Sequence, residues 1–424
     1  MSATREGSST ASAAARSPGL APYPEFPSAP VPSGPASPIT PSAGTDPVHA
    51  PTKVPIPVPE SAKWGWALRR LSESEVRLEP PVPSSPPRVG DVAVVRVAQL
   101  GYHTSLVTTD NRKRRIYPGD LLAGVFGHRY ATDAYEAEVD GTEDLSLLTA
   151  GGMIGTVRSR HRGMAHPTSL EFVGYLADAE GTRVNLKERF FRPPAGPVGP
   201  AHPLIVVVGT GMNSGKTTVL SQTLHGLSRQ GLRVAAGKLT GSVSNRDVDE
   251  MRSADAASVI DFSDYGFPST YLADRTELAQ LWEAILAEGA EGHPDLQLME
   301  IADGVLQRET AMILRDDRFR RRTTGVILAA DCAISALGAV EELRGLGYTL
   351  LGVSGAFTSS PLFVREFRSR SALPVLPSTG GGEELAASVL AHLSIPAWTG
   401  AAFPGEGPLS ESPVRPHASR VSGS

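Results

Sequence analysis

The spacing of apolar residues changes several times along the 424-residue chain. Residues 1 to about 60 are rich in Ala, Ser, Pro, Gly and Thr and nearly free of large apolar side chains. Such a segment cannot bury enough surface to offset its chain entropy, so a disordered tail is expected over 1–60. From Pro51 the Pro-x-Pro pattern favours extended, polyproline-like backbone, as either a docking tail or a passive extension. Trp64, Ala67, Leu68 and Leu71 fall at helical spacing, which predicts a short helix within Trp64–Leu78 and a linker to residue 88. A second biased tail is expected over 397–424.

Residues 89–192 alternate apolar and polar positions in short runs broken by glycine. Asp91–Gln99 and Gly119–Gly127 are two such runs. Ser169–Leu176, a turn at Asp178–Gly181 and Thr182–Leu186 read as a hairpin. No sustained helical period occurs, so a small β-rich, barrel-like domain is expected. Residues 193–203 are a Pro- and Gly-rich linker. From Leu204 the pattern becomes βα alternation through residue 396. Strands are predicted at Leu204–Val208, Arg233–Gly237, Leu296–Met299, Gly325–Ala329, Thr349–Val353 and Pro374–Leu376. Helices are predicted at Lys216–Arg229 and at about 276–288, 333–346, 361–371 and 383–393. The fold class is therefore α/β, with a mainly parallel sheet covered by helices on both faces, behind the β-rich domain. Ligands of such sheets bind at the carboxyl ends of the strands.

Composition narrows the function classes. The net charge is −5 with no broad basic excess, so no nucleic-acid partner is expected. The single cysteine, Cys332, excludes an internal disulfide and a cysteine-cluster metal site, and fits a reducing cytosol as a small core residue. No apolar run approaches the ~20 residues that span a bilayer, and the N-terminus lacks the apolar core of a secretory signal. A cytoplasmic location without a membrane partner is expected. A homodimer is left open.

The chemistry concentrates at Ile205–Thr218, Ile-Val-Val-Val-Gly-Thr-Gly-Met-Asn-Ser-Gly-Lys-Thr-Thr. A buried strand runs into a glycine-rich turn, and Lys216 opens a helix. Backbone N–H groups converging at such a helix start hold phosphate oxygens. Gly209, Thr210, Gly211, Asn213, Ser214, Gly215, Lys216, Thr217 and Thr218 are therefore candidate nucleotide-binding residues. Lys216 can neutralise the β/γ-phosphates, and the Thr217 hydroxyl can ligate Mg²⁺. Five residues separate Gly209 from Gly215-Lys216, one more than in the commonest phosphate loop. This longer loop resembles that of the dethiobiotin synthetase and cobyrinate amidase group of P-loop NTPases. Partitioning ATPases carry a second lysine where Thr210 stands, which argues against that branch.

Later strand tips carry further candidates. Lys238 leaves the second strand in Gly237-Lys-Leu-Thr-Gly-Ser242, which resembles the Lys-Pro-x-x-Ser/Thr-Gly element of the synthetase-like enzymes, with Lys238 and Thr240 matching. It can stabilise anionic or transferring charge, or it is a lysine in a surface turn. Asn245–Glu250 and Asp255 follow. The resemblance implies a metal-binding aspartate here, with Asp247 or Asp249 the counterpart, while a solvated acidic helix start is the plain alternative. Leu296–Gly304 ends its strand at Glu300, which matches the family's Mg²⁺-binding glutamate. Asp303 adds a second possible ligand or a base. The family carries an asparagine near the adenine where Ser354-Gly355-Ala356-Phe357 stands. No Asn-Lys-x-Asp guanine motif occurs, which favours ATP. Thr379–Gly382 is expected near the base.

His161 and His166, five apart on a glycine-containing loop, make an unconvincing metal pair. Arg112–Arg115 and Arg315–Arg322 read as charged surface. The resemblance implies a Mg·ATP-dependent enzyme that activates a small carboxylate or similar oxyanion by phosphoryl transfer. Lys216, Lys238 and Glu300 are its candidate catalytic residues, and Thr217, Glu300 and Asp247 its metal ligands. The alternative is a nucleotide-switched regulatory or assembly ATPase that docks partners through the β-rich domain and the tail. The partner expected of the enzyme is a small anionic substrate.

Overall fold

The computed structural model describes residues 56–79, 86–194 and 202–395. The tail readings, apart from residues 56–60, lie outside the described residues.

The N-terminal part is β-rich. Its strands are β1 (Lys63–Trp64), β2 (Arg77–Glu79), β3 (Val92–Gln99), β4 (Ser105–Val107), β5 (Lys113–Arg115), β6 (Leu121–Phe126), β7 (Tyr135–Glu138), β8 (Leu145–Leu147), β9 (Met153–Arg160) and β10 (Thr168–Ala177). β6, β3, β10, β8 and β9 pair in sequence, and β6 pairs β9 in parallel, so the sheet closes on itself as a barrel. Alternation along β3 puts Val92 and Val94 in one apolar cluster and Ala93, Val95 and Val97 in another, as the strand period requires. The anticipated hairpin is half present. Its first arm is β10, but beyond the turn only an isolated bridge pairs Ala177 with Arg183, and the chain then enters helix α1 (Leu186–Phe190).

The helix expected within Trp64–Leu78 is not formed. The segment holds β1, 3₁₀ turns at Trp66–Leu68 and Glu73–Glu75, and β2. Its apolar residues are buried, but against the barrel: β1 pairs β6 and β2 pairs β10. At Gly65 a Cβ would lie 2.8 Å from the Gly151 carbonyl oxygen. This close approach ties the segment into the sheet, and strand pairing overrides the weak helical spacing.

Residues from Leu204 form the second layer system. Strands β11 (Leu204–Gly209), β12 (Val234–Lys238), β13 (Ser258–Asp261), β14 (Leu296–Glu300), β15 (Gly325–Ala329) and β16 (Leu350–Ser354) make a six-stranded parallel sheet in the order β13-β12-β14-β11-β15-β16. The expected strand at Pro374–Leu376 is reduced to one parallel bridge between Val353 and Val375. Helices α2 (Lys216–Arg229), α3 (Asn245–Ser253), α4 (Arg275–Glu291), α5 (Arg308–Leu314), α6 (Asp317–Arg322), α7 (Ala333–Gly345), α8 (Pro361–Arg368) and α9 (Glu383–Leu393) connect and follow them. Leu204, Val206 and Val208 face a core with α4 and α7, while Ile205 and Val207 face one with α2 and α9. The sheet is thus covered on both faces.

The two parts share a packed boundary. Val243, just after β12, belongs to the apolar cluster of the barrel. Arg69 pairs with Asp264 at 2.5 Å and lies 3.7 Å from Asp261. Lys187 pairs with Glu277, and the Tyr271 hydroxyl donates to Glu136 at 3.1 Å.

Candidate functional site

The loop between β11 and α2 is shaped by two glycines. At Gly209 a Cβ would stand 2.3 Å from Ser214 Oγ and 2.8 Å from Lys216 Cδ, so only glycine lets the Lys216 side chain lie back across the loop. Gly215 caps α2 with φ of 92°, a left-handed conformation that costs a side-chain-bearing residue about 1–2 kcal/mol. Ser214 Oγ donates to the Gly211 carbonyl at 2.9 Å, and the Ala356 N–H donates to the Ser214 carbonyl at 2.9 Å. The first turn of α2 holds no acidic residue, so the positive end of the helix is left for an anion.

The Lys216 ammonium donates to the Gly211 carbonyl at 2.7 Å. Burial pushes its pKa below the usual lysine value, against the opposing pull of Glu300 and Asp303. Thr217 Oγ1 donates to Glu300 Oε2 at 3.0 Å. β12 and β14 are neighbours in register, with Lys238 opposite Glu300. Lys238 Nζ therefore reaches Glu300 Oε1 at 3.2 Å, and Asp247 Oδ2 from the first turn of α3 at 2.5 Å. Burial lowers the affinity of Lys238 for its proton, but Asp247 and Glu300 outweigh this and hold its pKa above the usual value. Lys216, Lys238 and Glu300 are 4%, 8% and 1% exposed, which is rare for charged groups unless they are paired. Asp303 borders the same space, and burial raises its pKa against the pull of Lys216 and Lys238.

The other candidates disperse. Asp249 accepts from Asn111 of the β4–β5 turn and from Asn245, on the outside of α3. Asp255 is exposed at the end of α3. Thr210 Oγ1 donates to Asp331 at 2.9 Å, and Asn213 Nδ2 donates to Asp133 of the barrel at 3.0 Å. Thr240 Oγ1 donates to the Ala302 carbonyl, shaping the turn. Ser354 is fully buried beneath the loop, and Gly381 of the Thr379–Gly382 run donates to Gln222 of α2. His161 and His166 are exposed, and Arg315–Arg322 forms surface ion pairs with Glu342, Glu283, Asp316 and Asp317. Cys332 is half-buried at the start of α7 rather than in the core.

A cleft of about 610 Å³ separates the loop from the barrel. Lys216, Thr217, Lys238, Asp247, Glu300 and Asp303 line one side. The barrel supplies Tyr102, His103, Arg129, Tyr130 and Asp133 on the other. These five were not singled out from the sequence. They lie on separate turns of a domain whose pattern reports only strands, so no local signal joins them. Burial and the nearby Arg129 push the His103 pKa down to about 4, so its ring is neutral at pH 7. Its Nε2 lies 3.0 Å from the Leu148 carbonyl, which can only accept, so Nε2 carries the proton.

Among the described residues no group of three His, Cys, Asp or Glu side chains could hold a metal ion. Mg²⁺ does not need one, because it keeps water and phosphate in its shell and takes one or two protein oxygens. The Thr217 hydroxyl and Glu300 carboxylate, side by side at the helix start, fit that requirement. Asp247 joins the cluster through Lys238.

No protein-family model matches the chain, and a search of curated proteins found no match. Solved structures similar to it include the signal recognition particle receptor FtsY from Elizabethkingia anophelis, 16% identical over 48% of this chain and 70% of that one, with a TM-score of 0.32. Cobyrinic acid a,c-diamide synthase from Mycobacterium smegmatis, with bound ADP and magnesium, is 17% identical over 47% of this chain and all 100% of that one, with a TM-score of 0.30. MinD from Pyrococcus horikoshii, complexed with Mg-ADP, is 17% identical over 44% and 96%, with a TM-score of 0.29. Likeness at this level carries no assignment of activity. Among the described residues no helix is long and apolar enough to cross a membrane. From the sheet, the glycine loop and the lysine at the helix start, residues 204–395 have a P-loop NTPase fold, a nucleotide-binding architecture whose phosphate loop faces the barrel.

Proposed function

We propose that the protein is a Mg·ATP-dependent enzyme of the synthetase or kinase type, activating a small carboxylate or similar oxyanion by phosphoryl transfer. The observation that carries this reading is the linked chain Thr217–Glu300–Lys238–Asp247, which joins two neighbouring strand tips to the starts of α2 and α3 beside the phosphate loop. A loop that only bound nucleotide would have no need of a second buried ammonium, held charged by two carboxylates. In this reading the backbone N–H groups of Gly211–Thr217 cradle the phosphates, and Lys216 turns from its own loop carbonyls to the β/γ-phosphates. Thr217 and Glu300 would hold Mg²⁺, which supplies charge neutralisation at the transferring group. Lys238 orients the acceptor oxyanion and stabilises charge as the oxyanion attacks phosphorus and ADP departs. The acyl phosphate so formed is open to an amine or another nucleophile, with phosphate leaving. ATP rather than GTP is proposed because the chain lacks an Asn-Lys-x-Asp motif.

The test is incubation of the full chain with Mg·ATP and a series of small carboxylates, with and without ammonia, read as ADP release. Carboxylate-stimulated ADP release that disappears in Lys216→Ala is expected. Tight ATP binding with no turnover on any carboxylate would instead favour a nucleotide-switched role.

A further inference from the structure

The cleft has two walls, and the phosphoryl-transfer reading uses only one of them. On the barrel wall, Arg129 follows β6 after Gly127 and His128. Its backbone exchanges both hydrogen bonds with Ala137, Arg129 N–H to the Ala137 carbonyl at 2.8 Å and Ala137 N–H to the Arg129 carbonyl at 2.9 Å, which fixes where the side chain starts. The guanidinium lies over the Tyr135 ring at 5.7 Å, and the Tyr135 hydroxyl is itself held by the Ala165 carbonyl at 2.7 Å. Nε and Nη1 are buried, yet neither has a hydrogen-bond partner. Two buried N–H donors without an acceptor are costly, and the half-buried residue that carries them lines the cleft.

We propose that Arg129 anchors a carboxylate of the second substrate, against the barrel wall and across the cleft from Lys238. This rests on the phosphoryl-transfer reading for the identity of the second substrate, but not for the presence of an anion site. The surroundings favour a single negative charge over a phosphate dianion. Asp133 and Asp303 are close enough to act on the guanidinium electrostatically, so a dianion would meet two carboxylates. The neighbouring His103 is neutral at pH 7 and adds no second cation. A carboxylate oxygen also accepts a charge-assisted hydrogen bond from a guanidinium N–H, shorter and stronger than one from a neutral donor. Tyr102 and Tyr130 border the same wall and would cover the body of the substrate.

The experiment uses the full chain, with acetate, succinate, citrate and inorganic phosphate as probes and acetamide as the uncharged control, read by thermal shift and calorimetry. For the wild type, at least one carboxylate should bind saturably while acetamide does not. Arg129→Gln should weaken that binding at least tenfold, Arg129→Lys should fall between, and the affinity for Mg·ATP should stay unchanged in both. Without any anion, Arg129→Met should melt at or above the wild-type temperature, because two buried donors without an acceptor have been removed. A clear drop in melting temperature in Arg129→Met and Arg129→Lys would show a structural role and overturn the proposal. So would carboxylate binding that ignores Arg129, no carboxylate binding at all, or binding through Arg129 of phosphate alone. Failure of the wild type to bind Mg·ATP while Arg129-dependent carboxylate binding persists would sink the phosphoryl-transfer reading and leave the anion site standing.

Discussion

At the scale of single residues, the site is a short chain of charges, and each link makes a different prediction. Lys216 faces its own loop rather than the apolar core, so Lys216→Ala should leave the fold intact. It should lose about 2–3 kcal/mol of nucleotide binding, the scale of a charge-assisted hydrogen bond. Calorimetry with Mg·ATP measures this, and unchanged affinity would remove the basis of the functional reading. Glu300→Gln keeps the shape but withdraws the charge from both Thr217 and Lys238. Nucleotide affinity without Mg²⁺ should be near wild type, while Mg²⁺-dependent turnover should be lost; normal turnover would move the metal to another carboxylate. Lys238→Ala should lower kcat by roughly 10²-fold with little change in ATP affinity, if its charge acts mainly in the transition state. A raised KM with kcat unchanged would make Lys238 a substrate anchor only.

At the scale of elements, the loop separates two kinds of glycine. Gly215 has φ of 92° and a would-be Cβ 3.2 Å from Ala356 N, whereas nothing lies within 4 Å of the Cβ position at Gly211. Gly215→Ala should therefore cost about 1–2 kcal/mol from backbone conformation alone, with a matching loss of nucleotide binding. Gly211→Ala should be nearly silent in a denaturant titration. Equal destabilisation by the two would mean that the loop adjusts freely. The helix–strand alternation from Leu204 was legible where an element carries a continuous apolar run or a helical period: β11 is buried along its whole length, and α2 runs from Lys216 to Arg229 as the spacing predicts. The weaker elements were not. β13 is a short edge strand with only two buried residues, and α3 and α6 are dominated by charges, so neither shows an apolar period.

At the scale of the whole molecule, the contacts between barrel and sheet hold the cleft, and Arg69 is central to them. Burial and the neighbouring Asp264 push the Asp261 pKa up, while Arg69 opposes the shift. A carboxyl whose pKa is raised on folding retains its proton in the folded state after the unfolded chain has lost it. Stability from this group is therefore full below the unfolded value near 3.9 and declines as pH rises through the folded value. Arg69→Ala removes the cation that offsets the buried charge, so its melting temperature should fall more at pH 7 than at pH 4.5. Thermal melts of both proteins across that range test it. A loss of equal size at both pH values would show that Arg69 acts through packing on Trp66, over whose ring it lies at 4.9 Å, and not through the charge of Asp261.

Local patterns decided much of this protein before any tertiary contact was considered. A strand, a glycine turn and a lysine at a helix start are adjacent in sequence, so their geometry follows from backbone rules acting over about a dozen residues. The same holds for Lys238 and Glu300, which end strands and so must lie at the carboxyl edge of a parallel sheet. What pairs them is the order of the strands. Only the placement of β12 beside β14 brings Lys238 opposite Glu300, and nothing in either segment encodes that neighbour. The barrel side of the cleft is further still from local reading. Tyr102, His103, Arg129 and Asp133 lie far along the chain from the phosphate loop, and closure of the barrel against the β12–α3 loop sets them facing it. Side-chain period reports which face of an element is buried, and it carries no information about what a distant loop will meet. The phosphate loop was therefore legible in the sequence, while the second wall of its cleft was decided by the tertiary structure alone.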